Sequence, residues 1–247
     1  MKAKVITIGE IKGGTGKTTT ALALAQASQK DNKKVLLIDL DPQGNLSNLV
    51  GADTTEPGAV ELLAGYPVEE LIQRPNFPTA VDIIAGNADL SNETTKKGSL
   101  YRLERAIQPL LSKYNLIIID TPPARCEMTY NALQASNGLI ITLDADISSL
   151  QGFYLITDLV KDAKQHNSKL KLLGAIITRY NGRPVLSQKL KSIIEEQANK
   201  LKCPYLGEVR QGIAIQEAQA YRANLFDYAP KSKPAQDYKD IYNKLFK

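Results

Sequence analysis

The chain has 247 residues, of which 43% are hydrophobic and 23% charged, and a net charge of +5, which is the balance of an ordinary globular protein. It has no apolar run of about 18 residues and no CxxC pair, since Cys126 and Cys203 lie far apart; a membrane-spanning protein, a disulfide framework and a zinc site are therefore disfavoured. His166, the only histidine, lies in a polar segment and offers little to histidine-dependent catalysis.

Apolar, β-branched segments of strand length alternate with segments of helical spacing. We predict strands at 4–10, 34–41, 81–86, 115–122, 138–145 and 172–180, with a seventh candidate at 203–209. We predict helices at 17–30, 100–112, 127–136, 149–165, 185–201, 213–223 and 234–247. Such alternation is typical of a parallel sheet covered on both faces. We therefore predict a doubly wound, mostly parallel α/β fold in a single domain spanning 1–247, with surface loops at 42–58 and 87–99.

Three of the predicted strands end in segments that carry polar chemistry. The first strand runs into "KGGTGKTT" (12–19), the second into "DLDPQGN" (39–45) and the fourth into "DTPP" (120–123). In open α/β sheets, ligands bind beyond the carboxyl ends of the strands. We therefore expect these three segments to meet at one site.

The first of these segments has the features of a phosphate-binding loop. Its glycines let successive backbone N–H groups point at phosphate oxygens, and the helix that follows adds its positive end. Lys17 would bridge the terminal phosphates, and the Thr18 hydroxyl suits a Mg²⁺ ligand. Ile11 stands where the standard spacing begins with glycine, so the loop is a variant of the motif.

The other two segments supply acids. Asp120 ends a strongly apolar strand, so its carboxylate can reach Mg²⁺ directly or through water. Asp41, just past the second strand, is suited to orient or deprotonate an attacking water. Asp39 points the same way in strand geometry and could share that site.

The segments "KGGTGKTTT", "VLLIDLDPQGN" and "LIIIDTPP", in this order and spacing, resemble the deviant Walker A ATPases of the ParA/MinD/Soj group. The likeness to ParA-type partition proteins extends over nearly the whole chain and includes 177–188 and 213–238. It implies that ATP and Mg²⁺ are the cofactors and that a homodimer forms when ATP binds.

The resemblance also implies roles for individual residues. Lys12 would reach across the dimer to the phosphates of the other subunit, and Asp41 would be the switch acid for hydrolysis. The catalytic residues are then Lys12, Lys17 and Asp41, and the metal site consists of Thr18, Asp41 and Asp120. The implied nucleotide contacts are Lys12, Gly13, Gly14, Thr15, Gly16, Lys17, Thr18, Thr19, Asn181, Glu208 and Arg210. The last two lie in "GEVRQG", where many relatives have a proline-containing turn, so their contacts with the base depart from the family pattern.

The charge is distributed unevenly. Residues 1–160 carry 14 Lys and Arg against 18 Asp and Glu, whereas residues 161–247 carry 17 against 8. This asymmetry indicates a polyanionic partner, either nucleic acid or an anionic membrane surface. The resemblance favours non-specific DNA, bound through Arg183, Lys189, Lys191, Lys200, Lys202, Arg222, Lys231 and Lys233, by phosphate contacts that do not depend on base sequence.

We therefore predict a weak ATPase that partitions plasmid or chromosomal DNA in the cytoplasm, at the nucleoid, with a ParB-like adaptor protein that stimulates hydrolysis. We expect no helix-turn-helix domain before the loop. One alternative is a MinD-like membrane-associated ATPase, because Tyr238, Ile241 and Tyr242 share one face of an amphipathic terminal helix. We favour DNA binding over membrane binding. Another alternative is a ParA-like protein that positions a protein assembly.

Overall fold

Seven parallel strands form one sheet in the computed structural model, which describes residues 2–76, 81–93 and 100–247. They are β1 (Lys4–Gly9), β2 (Val35–Asp39), β3 (Asp82–Ile84), β4 (Leu116–Asp120), β5 (Gly138–Leu143), β6 (Lys171–Tyr180) and β7 (Tyr205–Arg210). Their order is β3-β2-β4-β1-β5-β6-β7, and every pair of neighbours is parallel. The predicted fold class and the seventh strand are confirmed.

The described part of the chain contains ten α-helices, of which seven lie between the strands and three follow β7. They are α1 (Lys17–Lys30), α2 (Asn45–Val50), α3 (Ala59–Ala64), α4 (Arg102–Ala106), α5 (Glu127–Ala135), α6 (Ile147–Lys164), α7 (Val185–Lys200), α8 (Ile213–Ala220), α9 (Leu225–Tyr228) and α10 (Lys233–Phe246). Short 3₁₀ turns lie at Val68–Leu71, Ala88–Glu93 and Gln108–Ser112.

Two predicted segments differ from the structure. The predicted loop 42–58 contains α2, whose six residues are too few for a recognisable apolar period. The predicted helix at 100–112 divides into α4 and the 3₁₀ turn Gln108–Ser112, because Pro109 has no N–H to donate to an α-helical bond. Of the predicted loop 87–99, residues 94–99 lie outside the described residues.

Successive strand residues face opposite sides of the sheet, and both sides are covered. Ile118 packs into a core with α1 and α10, whereas Ile117 and Ile119 belong to a second core with α3, α4 and α5. A third core lies under α6 and α7. This double coverage explains why the strands read as continuous apolar runs rather than as alternating ones.

The apolar face of α10 is part of the first core. Tyr238, Ile241 and Tyr242 are almost completely buried there, and the Tyr238 hydroxyl lies 3.0 Å from the Thr20 hydroxyl on α1. The face that suggested a membrane surface in the sequence is thus occupied by packing within the domain. No described helix has the length and the apolar character needed to cross a bilayer.

The order of the strands determines where ligands can bind. The chain passes from β1 to β2 on one side and from β4 to β5 on the other, so β1 lies at the point where the direction of winding reverses. A crevice forms at the carboxyl ends of the strands at such a point. The loop after β1 lies in this crevice, between the ends of β2 and β4 on one side and β5 and β6 on the other.

Candidate active site

The loop between β1 and α1 has the backbone geometry of a phosphate cradle. Gly14 and Gly16 are both left-handed, with φ of 74° and 78°, a region that glycine adopts without strain. A Cβ at Gly14 would meet nothing within 4 Å, so the loop is open there, whereas a Cβ at Gly16 would lie 3.2 Å from the Thr178 side chain. The Thr178 hydroxyl, on β6, donates to the carbonyl of Thr15 at 2.9 Å. The loop is therefore anchored to the sheet from behind.

Lys17 lies in this loop with its side chain almost completely buried. Its ammonium group donates to the carbonyl of Lys12 at 3.3 Å. Burial lowers the pKa of Lys17, while the carboxylates of Asp120, Glu10 and Asp41 oppose that effect. The lysine is thus a buried cation whose charged form is stabilised by three neighbouring acids.

Asp39 is the last residue of β2 and Asp41 lies two positions further on, but the two acids have different surroundings. The Asp39 carboxylate accepts hydrogen bonds from the Ser47 N–H at 2.9 Å, the Ser47 hydroxyl at 2.7 Å and the Asp41 N–H at 3.1 Å. These bonds fix the turn that carries Asp41. The Asp41 carboxylate accepts a bond from the Gln43 N–H at 3.0 Å and faces the cavity described below. Asp39 is therefore a structural acid, and Asp41 is the one available to a ligand.

Asp120 is the last residue of β4 and is completely buried. One oxygen, Oδ1, accepts a bond from the Thr121 N–H at 3.2 Å, while Oδ2 is buried without a hydrogen-bond partner. Burial raises the pKa of the Asp120 carboxyl, and the neighbouring Asp39 raises it further. An unpartnered buried carboxylate oxygen is costly unless a cation or a donor joins it, so the chemistry of this acid suits a cation ligand.

Lys12 is engaged within its own chain. Its ammonium group is hydrogen-bonded to the carboxylate of Asp146, the residue that caps α6, and lies 3.4 Å from the Ser149 hydroxyl and 3.7 Å from the Asp144 carboxylate. The side chain therefore lies over the start of α6, held by two acids. The sequence did not indicate this arrangement, because Lys12 and Asp146 are 134 positions apart.

A cavity of about 800 Å³ opens in front of the loop. Its lining joins the loop residues 14–19 and Asp41 to the ends of β6 and β7 and to α8; the other lining residues include Thr178, Arg179, Val209, Arg210, Gln211, Gln216, Gln219, Arg222 and Tyr238. The three strand ends therefore meet as expected, with Asp120 buried behind them. Among the residues that the structure describes, no group of three or more His, Cys, Asp and Glu side chains is arranged to hold a metal ion by itself.

Of the three residues expected beside a base, only Arg210 lines this cavity. Its guanidinium makes a two-pronged ion pair with Asp237 on α10, with one contact at 2.6 Å. The Glu208 carboxylate instead accepts bonds from Lys191 at 2.7 Å and from the Tyr205 hydroxyl at 2.9 Å. Asn181 is exposed, outside the lining, and its side-chain oxygen accepts a bond from the Arg183 N–H.

Sequence reasoning missed several residues that shape the cavity. Gln219 on α8 donates to the Thr19 hydroxyl at 3.2 Å, and Thr178 supports Gly16 from β6. Gln219 and Tyr238 come from helices near the end of the chain, about 200 residues from the loop that they contact. One feature of the sequence could have identified Thr178: like Asp120, it is a polar residue that follows an apolar run in a predicted strand.

The residues expected to bind DNA differ in how available they are. Lys191 is held by Glu208, and Lys200 forms an ion pair with Glu196 at 2.6 Å. Arg222 lines the cavity. The remaining members of the set have exposed side chains: Arg183, Lys189, Lys202, Lys231 and Lys233.

Comparisons with known proteins agree with this geometry. A family model described as an AAA domain matches residues 3–172. The chromosome-partitioning ATPase Soj of Thermus thermophilus is 31% identical, over 98% of this chain and 95% of its own length. The chain belongs to the ParA family. Family membership confirms the resemblance on which the predicted roles of Lys12, Asp41 and Asp120 depend, although the roles themselves stay predictions.

Solved structures resemble this ParA-family chain along its whole length. A plasmid partition protein from Borrelia burgdorferi is 26% identical with a TM-score of 0.78, covering 98% of this chain and 97% of its own. A protein described as cobyrinic acid a,c-diamide synthase from Mycobacterium smegmatis, solved with an ATP analogue and magnesium, is 28% identical with a TM-score of 0.82, covering 98% and 93%. The architecture around the cavity is thus shared with a protein that holds a nucleotide.

Proposed function

We propose that this protein is a Mg²⁺-dependent ATPase with weak turnover that forms a homodimer on binding ATP and partitions plasmid or chromosomal DNA. The observation that carries the proposal is that the phosphate loop and Asp41 line one cavity while Asp120 is buried behind the loop, close enough to act on Lys17. The relatedness to partition ATPases such as Soj supports the cellular role. We treat residues 1–247 as one ATPase domain.

The loop residues Gly13 to Thr19 bind the phosphates of ATP, and Lys17 bridges the terminal ones. Thr18, Asp41 and Asp120 would hold the metal, and the unpartnered Oδ2 of Asp120 fits a cation at this position. Mg²⁺, when bound, supplies positive charge that neutralises the phosphates. With the cation bound, Oδ2 of Asp120 would have a partner and would need no hydrogen-bond donor.

Asp41 orients and deprotonates the attacking water, because its carboxylate faces the cavity while Asp39 fixes the turn beneath it. Lys12 leaves Asp146 and contacts the phosphates bound by the other subunit of the dimer. A cation supplied by the partner is useful only when two loaded subunits meet, so ATP binding and dimerisation become one equilibrium. The pairing with Asp146 and Asp144 is the resting position of this side chain.

The dimer binds non-specific DNA through the basic C-terminal third, with Arg183 as the best-placed residue. Arg183 is exposed at the start of α7, and Asn181 holds its backbone. Phosphate contacts of this kind are independent of base sequence and are weakened by salt. DNA binding holds the protein at the nucleoid in the cytoplasm, and a ParB-like adaptor stimulates hydrolysis and so releases the dimer from DNA.

Two other functions would use the same ATPase. A MinD-like membrane ATPase needs a free amphipathic face, and the apolar face of α10 is buried against α1. A ParA-like protein that positions a protein assembly would keep the DNA surface and differ only in its adaptor. The burial of α10 therefore favours DNA over a bilayer as the anionic partner.

Sedimentation tests the proposal most directly. The protein is spun with duplex DNA of unrelated sequence and, separately, with vesicles containing phosphatidylglycerol, each with ATP and with ADP. We expect co-sedimentation with DNA that requires ATP and is lost at high salt. Vesicle binding that requires ATP, with no DNA binding, would contradict the proposal and select the membrane alternative.

A further inference from the structure

Glu10 is a buried acid at the head of the phosphate loop. It follows β1 directly, and only 1% of its surface is exposed. Its Oε1 accepts bonds from the backbone N–H groups of Ile11 at 2.7 Å and Lys12 at 3.3 Å. Its Oε2 is buried without a hydrogen-bond partner. The carboxylate therefore holds the main chain of Lys12 with one oxygen and leaves the other unsatisfied.

Helix α6 has a glycine, Gly152, at the point where it packs against the Glu10 carboxylate. Gly152 lies against it so closely that a Cβ there would stand 2.2 Å from Oε1. The same helix start holds the Lys12 side chain through Asp146 and Ser149. Lys12 is thus fixed from two directions, with its N–H on Glu10 and its ammonium group on α6.

Two cations face the Glu10 carboxylate, Lys17 from the start of α1 and Lys12 from the loop. Helix α6 contacts it through Gly152, and the acids at the start of that helix, Asp144 and Asp146, are turned toward Lys12. Burial raises the pKa of Glu10 to about 7, while the two backbone bonds and the two lysines favour the ionised form. The protonation state of Glu10 therefore depends on what neutralises these lysines.

We propose that Glu10 is a positioning residue that takes up a proton from solvent when ATP binds and thereby loosens Lys12 for its contact with the partner subunit. The inference rests on the proposed function. ATP phosphates neutralise Lys17, and the carboxylate then loses the positive field that kept it ionised. A solvent proton adds to Oε2 and leaves a neutral carboxyl group. A neutral group is a weaker acceptor for the Lys12 N–H than a carboxylate.

The experiment counts protons. ATP binding with excess Mg²⁺ is measured by calorimetry at pH 7 in two buffers of different ionisation heat, for wild type, E10Q and E70Q. E10Q keeps the shape of the side chain and removes its titration, and Glu70 is an exposed acid elsewhere. We expect wild type and E70Q to take up about half a proton more per ATP than E10Q. The protons bound or released by ATP itself cancel in this difference.

The pH dependence gives a second readout. Because binding takes up a proton, the ATP affinity of wild type relative to E10Q falls as the pH rises through 7, by at most about tenfold per pH unit. A purely structural role would change affinity equally at every pH. Difference infrared spectra with ATP and without nucleotide supply a further test, since ATP should produce in wild type the band of a protonated carboxyl group that E10Q lacks.

The outcomes separate this inference from the proposed function. ATP binding with equal proton counts in wild type and E10Q, or with no protonated-carboxyl band, would overturn the role of Glu10 and leave the ATPase standing. Absence of ATP binding to wild type would overturn the ATPase and the role of Glu10 together.

Discussion

Asp39 and Asp120 are register partners at the ends of β2 and β4, so two buried carboxylates lie side by side behind the phosphate loop. Asp39 accepts three hydrogen bonds, whereas Oδ2 of Asp120 accepts none. Burial raises the pKa of both groups. The pair therefore combines an acid whose hydrogen bonds fix the turn that carries Asp41 with an acid that has a free oxygen for a cation.

Asp120→Asn should stabilise the protein in the absence of ligands, on the order of 1–3 kcal/mol, because it removes a carboxyl group that ionises readily in the unfolded chain but whose pKa burial raises in the folded protein. The same change should abolish the stabilisation that Mg²⁺-ATP gives. Thermal unfolding with and without Mg²⁺-ATP measures both effects. Asp39→Asn is the matched control, and it should destabilise the protein because its amide loses accepted hydrogen bonds. An Asp120→Asn protein that is still stabilised by Mg²⁺-ATP would contradict the metal role.

Asp41→Ala should retain ATP binding and lose turnover by about 100-fold or more, because the attacking water has no base. The variant should then accumulate as a dimer in ATP. Phosphate release and light scattering measure the two effects. Asp53→Ala, an exposed acid in the neighbouring segment, should behave as wild type. A monomer in ATP would argue against the trapped dimer.

Arg183→Glu should weaken DNA binding about tenfold or more, equally for all sequences, and leave the ATP-dependent dimer intact. It should also reduce the dependence of binding on salt, since phosphate contacts are lost. Lys113→Glu is the control with the same charge change. Lys113 precedes β4, at the amino ends of the strands, and pairs with Glu69, whereas Arg183 follows the carboxyl end of β6. Mobility shifts at several salt concentrations measure both variants. Equal losses in the two would indicate a general charge effect rather than a surface at Arg183.

Ile241→Glu should destabilise the protein by about 3 kcal/mol or more, because a charge would enter the core between α10 and the sheet. Lys239→Glu, on the exposed side of the same helix, should change the free energy of unfolding by less than about 0.5 kcal/mol. Urea unfolding compares the two. A stable Ile241→Glu protein would mean that this face of α10 is not packed.

The two cysteines should differ in reactivity. Cys203 is 1% exposed, and burial raises the pKa of its thiol to about 12, so little thiolate forms. Cys126, at the start of α5, is partly exposed. One thiol per chain should react with a maleimide in native buffer, at Cys126, and two in urea. Mass spectrometry of the labelled peptides locates the modification, and labelling of Cys203 in the native protein would contradict its burial.

The alternation of strands and helices, the phosphate loop and the two strand-end acids Asp41 and Asp120 could be predicted from the sequence alone. These features are local, since a glycine-rich turn between a strand and a helix, or an acid that ends an apolar run, is visible within about ten residues. The carboxyl ends of parallel strands share one edge of a sheet, so the sequence also indicated that the segments would meet.

Contacts between residues far apart in the chain could not be predicted from the sequence and depend on the tertiary structure. Two of these contacts are ion pairs, Lys12 with Asp146 and Arg210 with Asp237. Two others are close packing contacts, of Gly152 with the Glu10 carboxylate and of Thr178 with Gly16. Each contact depends on which strands are neighbours and on how helices pack across them, and burial, which sets the protonation of Glu10 and Asp120, follows from that packing. The order of residues along the chain does not fix these distances, because they arise only when the strands pair on both sides of β1 and the helices pack on the sheet.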